Sequence, residues 1–391
     1  MNENKLSVKE KIGYGMGDAG CNMIGGAIMM FLSYFYTDIF GLAPALVGVL
    51  LLSVRVLDAV TDPIMGAIAD RTQTRWGRFR PYLLWVSFPY VIFSVLMFTT
   101  PEWTYNSKVI YAFVTYFLMS LTYTAINIPY CSLGGVITAD PKERVSCQSY
   151  RFIMVGIATL ILSSTLLPMA DWFGGEDKAK GYQMAMGVLA LIGLFMFLFC
   201  FATVRERIKP AVPSNDALKQ DLRDVWKNDQ WVRILLLTFC NVCPGFIRMA
   251  ATMYYVVWVM EKSTHFATLF ISLGVIGMMF GSALAKPLTD RYCKLKVFFW
   301  TNIVLAIFSC GFYWVNPHAT TLVLVLYFLL NILHQLPSPL HWSLMADVDD
   351  YGEWKTGKRS TGISFSGNLF FLKVGLAVAG AMVGFLLSAY G

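Results

Sequence analysis

Eleven long apolar segments restrict the fold of this chain more than any other feature of its sequence. Each is bounded by charged residues or by Pro and Gly, and they lie at 13–37, 44–68, 81–100, 108–134, 148–169, 181–203, 231–259, 264–288, 296–315, 320–345 and 361–389. A helix needs roughly 20 apolar residues to cross a bilayer. With 57% hydrophobic and only 14% charged residues, the composition excludes a soluble globular domain. The sequence predicts an all-α polytopic membrane protein, whose segments are numbered here as spans 1 to 11.

The basic residues are concentrated in loops on one side of the predicted spans. Lys and Arg follow spans 2, 6 and 10, whereas the opposite loops at 40–44 and 316–318 contain neither. Because basic loops remain on the cytoplasmic side, we expect a cytoplasmic N-terminus in a multi-pass protein of a bacterial inner membrane. This topology accounts for the formal net charge of +7, so we expect membrane lipid around the chain and no nucleic-acid partner.

One hydrophilic connection divides the chain into two halves. We predict an N-terminal six-helix bundle over 1–204, a cytoplasmic linker over 205–230 and a C-terminal bundle over 231–391. Within the linker, apolar residues recur at helical spacing among charged ones, namely Leu218, Leu222, Val225 and Trp226. That pattern predicts an amphipathic helix along the membrane interface.

The two halves resemble each other in sequence. Span 2 ends in Asp70 and Arg71, span 8 ends in Asp290 and Arg291, and both precede a basic loop. Repeated halves with a substrate site between them are typical of secondary transporters. The second half has five spans and the first has six. We therefore expect that a twelfth helix is missing. The alternative is a transporter that functions with eleven helices.

Three ionisable residues lie on one face of span 2, which is otherwise apolar. Arg55, Asp58 and Asp62 occur at i, i+3 and i+7. An ionised side chain within a bilayer costs several kcal/mol unless it is paired or faces a polar cavity. Two carboxylates one turn apart also repel each other, which favours a shared cation or proton. The alternative interpretation is a structural salt bridge to Arg55 or to Lys373, which lies deep in span 11.

Four stretches of the chain resemble one transporter family. They read KEKIGYGMGDAG (9–20), RVLDAVTDPIMGAIADRTQTRWGRFRPY (55–82), NIPYCSLGGVITADPKER (127–144) and DYGEWKTGKR (350–359). These motifs resemble the glycoside-pentoside-hexuronide:cation symporters, a melibiose permease-like family of the major facilitator superfamily, and most of all its members assigned to xylosides or pentosides. The resemblance implies two six-helix bundles, twelve helices in all, and cation-driven sugar uptake by alternating access.

The resemblance also implies which residues bind the cation and the sugar. Asp58 and Asp62 match the two coupling carboxylates of the family, with Thr124 beside them. The implied sugar-binding residues are Asp18, Asn22, Asn127, Tyr130, Arg151, Trp342 and Lys373. Asn22 and Asn127 are amides where the family has acids, so they bind hydroxyls without adding charge. Tyr130 or Trp342 would replace a stacking tryptophan whose place is taken by Cys131.

Several of these residues also have a structural interpretation. Asp18 is alternatively a capping or interhelical hydrogen-bond residue, Arg151 a side chain that snorkels to the cytoplasmic surface, and Asn127 a structural amide. At the cytoplasmic ends of spans 2 and 8, topology alone would place charged residues. The resemblance implies instead that they latch this side closed, and the residues of this latch are Asp70, Arg71, Arg78, Asp290 and Arg291.

We therefore predict a secondary active transporter, acting as a monomer, that moves a glycoside or pentoside together with Na⁺ or H⁺. A xyloside is one candidate substrate. The sequence has no nucleophile elbow, phosphate loop or zinc motif, so we expect no enzyme activity, no cofactor and no metal other than a coupling Na⁺. The alternatives are an uncoupled facilitator or exchanger of the same fold, and a truncated membrane protein that does not transport.

Overall fold

The structure, a computed structural model, describes residues 5–208 and 218–390. Nearly all of these residues are helical, which confirms the all-α prediction. The α-helices in the described ranges are α1 (Val8–Tyr34), α2 (Pro44–Arg71), α3 (Arg80–Trp85), α4 (Ser87–Met97), α5 (Tyr105–Val136), α6 (Pro141–Gly174), α7 (Lys178–Thr203), α8 (Leu218–Trp226), α9 (Asp229–Tyr254), α10 (Thr264–Arg291), α11 (Lys294–Gly311), α12 (Thr320–Gln335), α13 (Pro337–Thr356) and α14 (Thr361–Tyr390). Short π-helical turns, Phe35–Ile39 and Tyr255–Val259, continue α1 and α9.

Every predicted span corresponds to a helix or to a pair of consecutive helices. In the part of the chain that the structure describes, ten helical segments are long and apolar enough to cross a membrane. Span 3 is the remaining one, and it is divided at Val86 into α3 and the shorter apolar helix α4. Pro89 lies one turn into α4, and its missing N–H removes a hydrogen bond at this division.

Span 10 extends further than the sequence predicts. It is divided at Leu336 into α12 and α13, and α13 continues to Thr356, past the predicted end at 345. The prediction ended too early because acidic residues interrupt the apolar pattern there without interrupting the helix. The helix ends where Gly357 adopts a left-handed conformation, with φ of 72°, which glycine tolerates without strain.

The two halves repeat each other with a constant offset. The π-helical turns begin at Phe35 and Tyr255, and α2 and α10 end at Arg71 and Arg291, so each landmark recurs 220 residues later. This agrees with the repeat predicted from the two Asp-Arg pairs. For α1, α2 and the start of α6, the same offset identifies the equivalent positions on α9, α10 and at the start of α14.

The halves meet along two helix crossings, α2 against α14 and α6 against α10. At the first crossing, a Cβ atom on Gly66 would lie 2.6 Å from the carbonyl oxygen of Gly362, and one on Gly362 would lie 2.2 Å from that of Gly66. Only glycine at both positions permits this approach. The 220-residue offset places Lys286 and Lys142 at the equivalent positions of the second crossing, where such close contact is impossible.

A helix, α8, is present at the amphipathic pattern of the predicted linker. It packs on the protein, since Val225 is buried and the buried Asp221 forms an ion pair with Arg71 at the end of α2. Trp226 is exposed and its ring meets that of Trp231 edge-on. Residues 209–217 of the linker lie outside the described residues. The position of α8 at a membrane interface stays a prediction.

Candidate functional site

The acid pair of α2 is buried and shares one lysine. Asp58 and Asp62 are 3% and 1% exposed. The Lys373 ammonium, on α14, lies 2.7 Å from an Asp62 carboxylate oxygen and 3.2 Å from one of Asp58. Arg55 lies 3.7 Å from Asp58 and its side chain is half exposed. A single, partly buried ammonium therefore bridges two buried carboxylates.

Lys373 was predicted to bind sugar, with a salt bridge to the acids of α2 as the alternative, and its sugar-binding role stays a prediction. The resemblance implied a sugar-binding lysine, whereas the structure places its ammonium between the two acids because α14 packs directly on α2. The alternative of a salt bridge to Lys373 is thus observed. It involves both acids at once, which the sequence did not predict. Since α2 and α14 belong to different halves, this ion pair also joins the halves.

Two hydroxyl groups from α5 complete the surroundings of the acid pair. Thr124 donates a hydrogen bond to Asp62 at 3.0 Å, and Ser120 donates one to Asp58 at 2.6 Å. Thr124 was predicted, but Ser120 was missed. The available signal was its position four residues before Thr124, on the same face of a helix. Each acid therefore has one oxygen bonded to a hydroxyl and the other close to the ammonium.

The acid pair belongs to the first half alone. The 220-residue offset takes Asp58 to Met278 and Asp62 to Ser282 on α10, neither of which is charged. Carboxylate and hydroxyl oxygens are the ligands that hard cations prefer, and protonation of one acid would equally remove the repulsion between them. Asp58, Asp62, Ser120 and Thr124 are thus the described residues suited to hold Na⁺ or a proton.

A second buried ion pair belongs to the first half and contacts the second half through Trp342. The Arg151 guanidinium of α6 donates to Asp18 of α1 at 2.7 Å and stacks over the Trp342 ring of α13 at 4.3 Å from its centroid. Arg151 is only 4% exposed. It does not snorkel to the surface, because its partner lies inside the bundle. Asp18, Arg151 and Trp342, predicted separately as sugar-binding residues, therefore form one cluster.

The two predicted amides bind groups of their own half. Asn22 donates to the carbonyl oxygen of Asp18 at 2.9 Å, and Asn127 donates to the Tyr123 hydroxyl at 3.3 Å. Asn22 is partly exposed and Asn127 is buried. Their interactions are those of structural amides in this conformation, and their binding of sugar stays a prediction.

Tyr130 is placed differently from its predicted role. Its side chain is completely buried, its hydroxyl donates to the carbonyl oxygen of Tyr14 at 2.7 Å, and its ring stacks on the Tyr14 ring at 4.9 Å. Gly17 packs against the same ring. In this conformation the ring contacts only protein groups among the described residues, and its stacking on a sugar stays a prediction. Of the two aromatic candidates, Trp342 is the one that borders a cavity.

This cavity, of about 300 Å³, lies mainly in the second half, next to the Asp18–Arg151–Trp342 cluster. Its polar lining residues are Thr238, Asn241, Arg248, Thr252, Tyr327, Asn331, His334, Gln335, Ser338, His341 and Asn368. Three buried polar atoms among them have no hydrogen-bond partner within the described residues: Nδ1 of His334, Nδ1 of His341 and Nδ2 of Asn368. Buried polar groups are normally bonded, so these atoms are suited to a ligand rich in hydroxyl groups.

Most of this lining was missed in the sequence, although α9 has a recognisable pattern. Polar or small residues recur every three or four positions along it, at Thr238, Asn241, Gly245, Arg248 and Thr252. This spacing places them on one helix face inside an apolar span. The face is turned towards the cavity, since all five residues line it.

The Asp70 half of the predicted latch is closed. Asp70 accepts hydrogen bonds from the backbone N–H groups of Gly362 at 2.8 Å and Ile363 at 3.1 Å, in the first turn of α14. A carboxylate is stabilised at a helix N-terminus by the free N–H groups there. Arg71 is paired with Asp221 of α8, and the Arg78 backbone N–H donates to Glu206 at 2.9 Å. Asp70 therefore binds one half to the other.

The Asp290 half of the latch is open. Asp290 is paired with Lys286 of its own helix, and both Asp290 and the exposed Arg291 line a cleft of about 350 Å³. Pro141 and Lys142, at the start of α6, form the other wall. This helix start is equivalent to the α14 start that Asp70 binds. Among the described residues, the contact of Asp70 with the opposite half is thus made and the symmetry-related contact of Asp290 is not, and the function of these residues as a latch stays a prediction.

Two further arginines, Arg144 and Arg359, connect the halves at the same end of the molecule, and neither was predicted to do so. Arg144 of α6 binds Asp347 at 3.0 Å and Asp350 at 2.6 Å, both on α13. Arg359, between α13 and α14, donates to the carbonyl oxygen of Gly135 in α5 at 3.0 Å. Burial opposes the charge of Arg359, but nearby carboxylates, Asp349 first among them, outweigh it and raise the pKa of Arg359 above its usual range. Fixed charges therefore hold the halves together at the end nearest α8.

Comparison with known proteins places these features in a wider context. A family model described as MFS/sugar transport protein matches residues 13–391. The chain is 46% identical to the inner membrane symporter YicJ of Escherichia coli strain K12, over 100% of this chain and 84% of that protein. It is 32% identical to the isoprimeverose transporter of Lactiplantibacillus pentosus, over 100% of this chain and 82% of that protein. The crystal structure of the E. coli fucose:proton symporter FucP has the same fold, with a TM-score of 0.72 at 12% identity, over 97% of this chain and 91% of that one.

Proposed function

Because the chain belongs to the MFS/sugar transport protein family, we propose that it is a cation-coupled symporter of a glycoside or pentoside. Membership agrees with the symporter motifs of its sequence and makes it a multi-pass membrane transporter. The observation that carries the proposal is the buried acid pair, Asp58 and Asp62, bridged by Lys373 from the other half. Such a pair responds to a cation and is connected to the movement of the halves.

Coupling follows from competition for the two acids. A Na⁺ ion or a proton that binds the pair supplies the positive charge that Lys373 provides in this structure. The hold of α14 on α2 is then weakened, and the halves become free to rearrange around the site. If sugar binding favours the same rearranged state, cation and sugar raise each other's affinity by the same factor.

The sugar site in this proposal lies between the Asp18–Arg151–Trp342 cluster and the cavity beside it. Charged groups at Asp18 and Arg151 are suited to bind sugar hydroxyls, and the Trp342 ring offers an apolar face. The unpartnered atoms of His341 and Asn368 add hydrogen-bonding capacity on the second half. The relative named as an isoprimeverose transporter makes isoprimeverose the first sugar to test.

Uptake into proteoliposomes with an imposed ion gradient tests the proposal. We expect the protein to concentrate a sugar under either a Na⁺ or an H⁺ gradient and to lose this accumulation in Asp58→Asn or Asp62→Asn. Sugar that enters only down its own gradient, whichever ion is supplied, contradicts symport.

An uncoupled facilitator or exchanger is the second candidate. It is favoured by one observation, that the protein itself supplies a positive charge between the two acids through Lys373. In that case replacing Asp58 or Asp62 by Cys leaves sugar movement unchanged. The symport proposal requires the opposite result.

The orientation in the membrane is part of this proposal. With basic loops on the cytoplasmic side, the end of the molecule nearest α8 faces the cytoplasm of a bacterial inner membrane. The closed Asp70 latch and the Arg144 and Arg359 bonds are at that end. The conformation is then one that is closed towards the cytoplasm.

A further inference from the structure

Arg248 lies inside a membrane-spanning helix, far from both of its ends. The helix begins at Asp229 and its continuation ends at Val259, about 28 Å and about 16 Å from Arg248 at 1.5 Å per residue. An arginine side chain is too short to snorkel over either distance. A charge at such a depth marks a functional site unless a protein partner neutralises it.

No such partner is present among the described residues. The other two cations near the cavity are paired, Arg151 with Asp18 and Lys373 with the acid pair, whereas no carboxylate in the described ranges lies within ion-pair distance of Arg248. The cavity that Arg248 lines has no Asp or Glu among its described lining residues. The positive charge therefore faces a cavity lined only by neutral groups apart from itself.

The groups around Arg248 add hydrogen bonds but no negative charge. Gly245, one turn earlier on α9, allows the His334 ring to pack directly on the helix, since a Cβ atom there would lie 2.5 Å from Nε2 of His334. The other ring nitrogen of His334 has no partner among the described residues. Tyr327 and Asn331 of α12 line the same region of the cavity. These groups can support an anion that Arg248 neutralises.

The cavity is longer than a single sugar ring. Thr238 of α9 is the equivalent, by the 220-residue offset, of Asp18, and so marks the level of the Asp18–Arg151–Trp342 cluster. Arg248 is ten residues further along α9, which corresponds to about 15 Å. Thr238 and Arg248 both line the cavity. A ligand bound at Trp342 must extend beyond its first ring to reach Arg248.

We propose that Arg248 forms an anion-binding subsite for the distal part of the substrate, so that a glycoside with a carboxylate or another anionic group on its aglycone or second sugar binds more tightly than its neutral counterpart. The inference rests on the proposed transport of a glycoside. The ring next to Trp342 is neutral and is recognised through its hydroxyl groups. The distal anion binds the Arg248 guanidinium, with His334 beside it, and neutralises the one cation among the described lining residues that has no carboxylate partner there.

Calorimetric binding to the purified protein tests this subsite. The ligands are aryl glycosides of xylose, galactose and glucose with a para-carboxyl, a para-sulfonate or a neutral para-carbamoyl group on the phenyl ring. We expect the carboxyl compound of the accepted sugar to bind about tenfold or more tightly than its carbamoyl counterpart, the difference typical of a hydrogen bond to a charged group. The sulfonate arm determines whether any anion suffices or a carboxylate is required.

Three variants separate the subsite from a structural role. Arg248→Gln should abolish the preference for the anion, so that the carboxyl and carbamoyl compounds bind with similar affinity, while Arg248→Lys should retain part of the preference. Arg233→Gln is the matched control, because Arg233 lies on the same helix but is exposed. It should have no effect on either ligand.

The outcomes are distinguishable. Equal affinity of the wild-type protein for charged and carbamoyl ligands overturns the subsite, whatever the variants do. An Arg248→Gln variant that weakens both ligands equally also overturns it. If no glycoside binds at all, the proposed transport function itself fails.

Discussion

At the scale of single residues, Lys373, which lies between the two acids, leads to the clearest prediction. Replacing Lys373 by Met leaves Asp58 and Asp62 buried together with no ammonium between them. Removing one partner of a buried ion pair typically costs about 3–5 kcal/mol. We expect a lower thermal unfolding midpoint and loss of sugar accumulation. Added Na⁺, or low pH for a proton-coupled protein, should raise the midpoint of this variant more than that of the wild type.

Lys286→Met is the control for this change, since Lys286 forms an ion pair with Asp290 that is partly exposed on the cleft. Exposed pairs contribute roughly 0–1 kcal/mol, so its midpoint should barely change. An equal loss of stability in the two variants would contradict the role assigned to Lys373.

The hydroxyl groups of α5 allow a second test at this scale. Ser120→Ala and Thr124→Ala each remove one hydrogen bond to a buried carboxylate, worth about 1.5–3 kcal/mol when the acceptor is charged. We expect each variant to require a severalfold higher coupling-ion concentration for half-maximal uptake. Thr122→Ala is the control, because its hydroxyl binds only carbonyl oxygens of its own helix. A shift as large in Thr122→Ala would show that the effect is not specific to the acids.

At the scale of helices, the asymmetry between the two crossings is the main finding. The α2–α14 crossing is close because glycines meet there, and its latch through Asp70 is made. The α6–α10 crossing has lysines at the equivalent positions and a cleft beside Asp290. We therefore attribute the difference between the Asp70 contact, which is made, and the Asp290 contact, which is not made among the described residues, to the difference in side-chain size at the two crossings.

Gly66→Ala tests this interpretation. The added methyl group would overlap the carbonyl oxygen of Gly362 and force α2 away from α14. We expect faster amide hydrogen exchange at Gly362 and Ile363, whose N–H groups bind Asp70 in the wild type. Gly48→Ala on the same helix is the control, since no atom lies within 4 Å of a Cβ there. Unchanged exchange in Gly66→Ala would mean that the crossing does not depend on close glycine contact.

At the scale of the whole molecule, the orientation in the membrane determines which end the latch closes. Ser7 and Ser263 are both exposed, at the start of α1 and the start of α10. In a protein whose exposed cysteines have been replaced by serine, we expect Ser263→Cys to react with a membrane-impermeant maleimide in intact cells. Ser7→Cys should react only after the membrane has been opened. The reverse pattern would place the closed end outside and contradict inward transport from this conformation.

The sequence by itself determined the fold class, the positions of the spans and the presence of a charged site. Span length depends on local hydrophobicity, and the cost of burying Asp58 and Asp62 in a membrane is large enough to be read from a single helix. The family motifs are also continuous stretches of sequence. These properties do not depend on which helices become neighbours.

Only the tertiary structure decided which groups meet. Lys373 reaches the acid pair from a position 311 residues away from Asp62, and its partner follows from the packing of α14 on α2. The same reason explains why Tyr130 is covered, why Ser120 was missed and why Arg248 faces a cavity without a carboxylate. A charged side chain in a membrane needs a group that neutralises it, but the sequence does not determine whether that group is another side chain, an ion or a substrate. Distances between distant segments settle this, and they exist only in the folded chain.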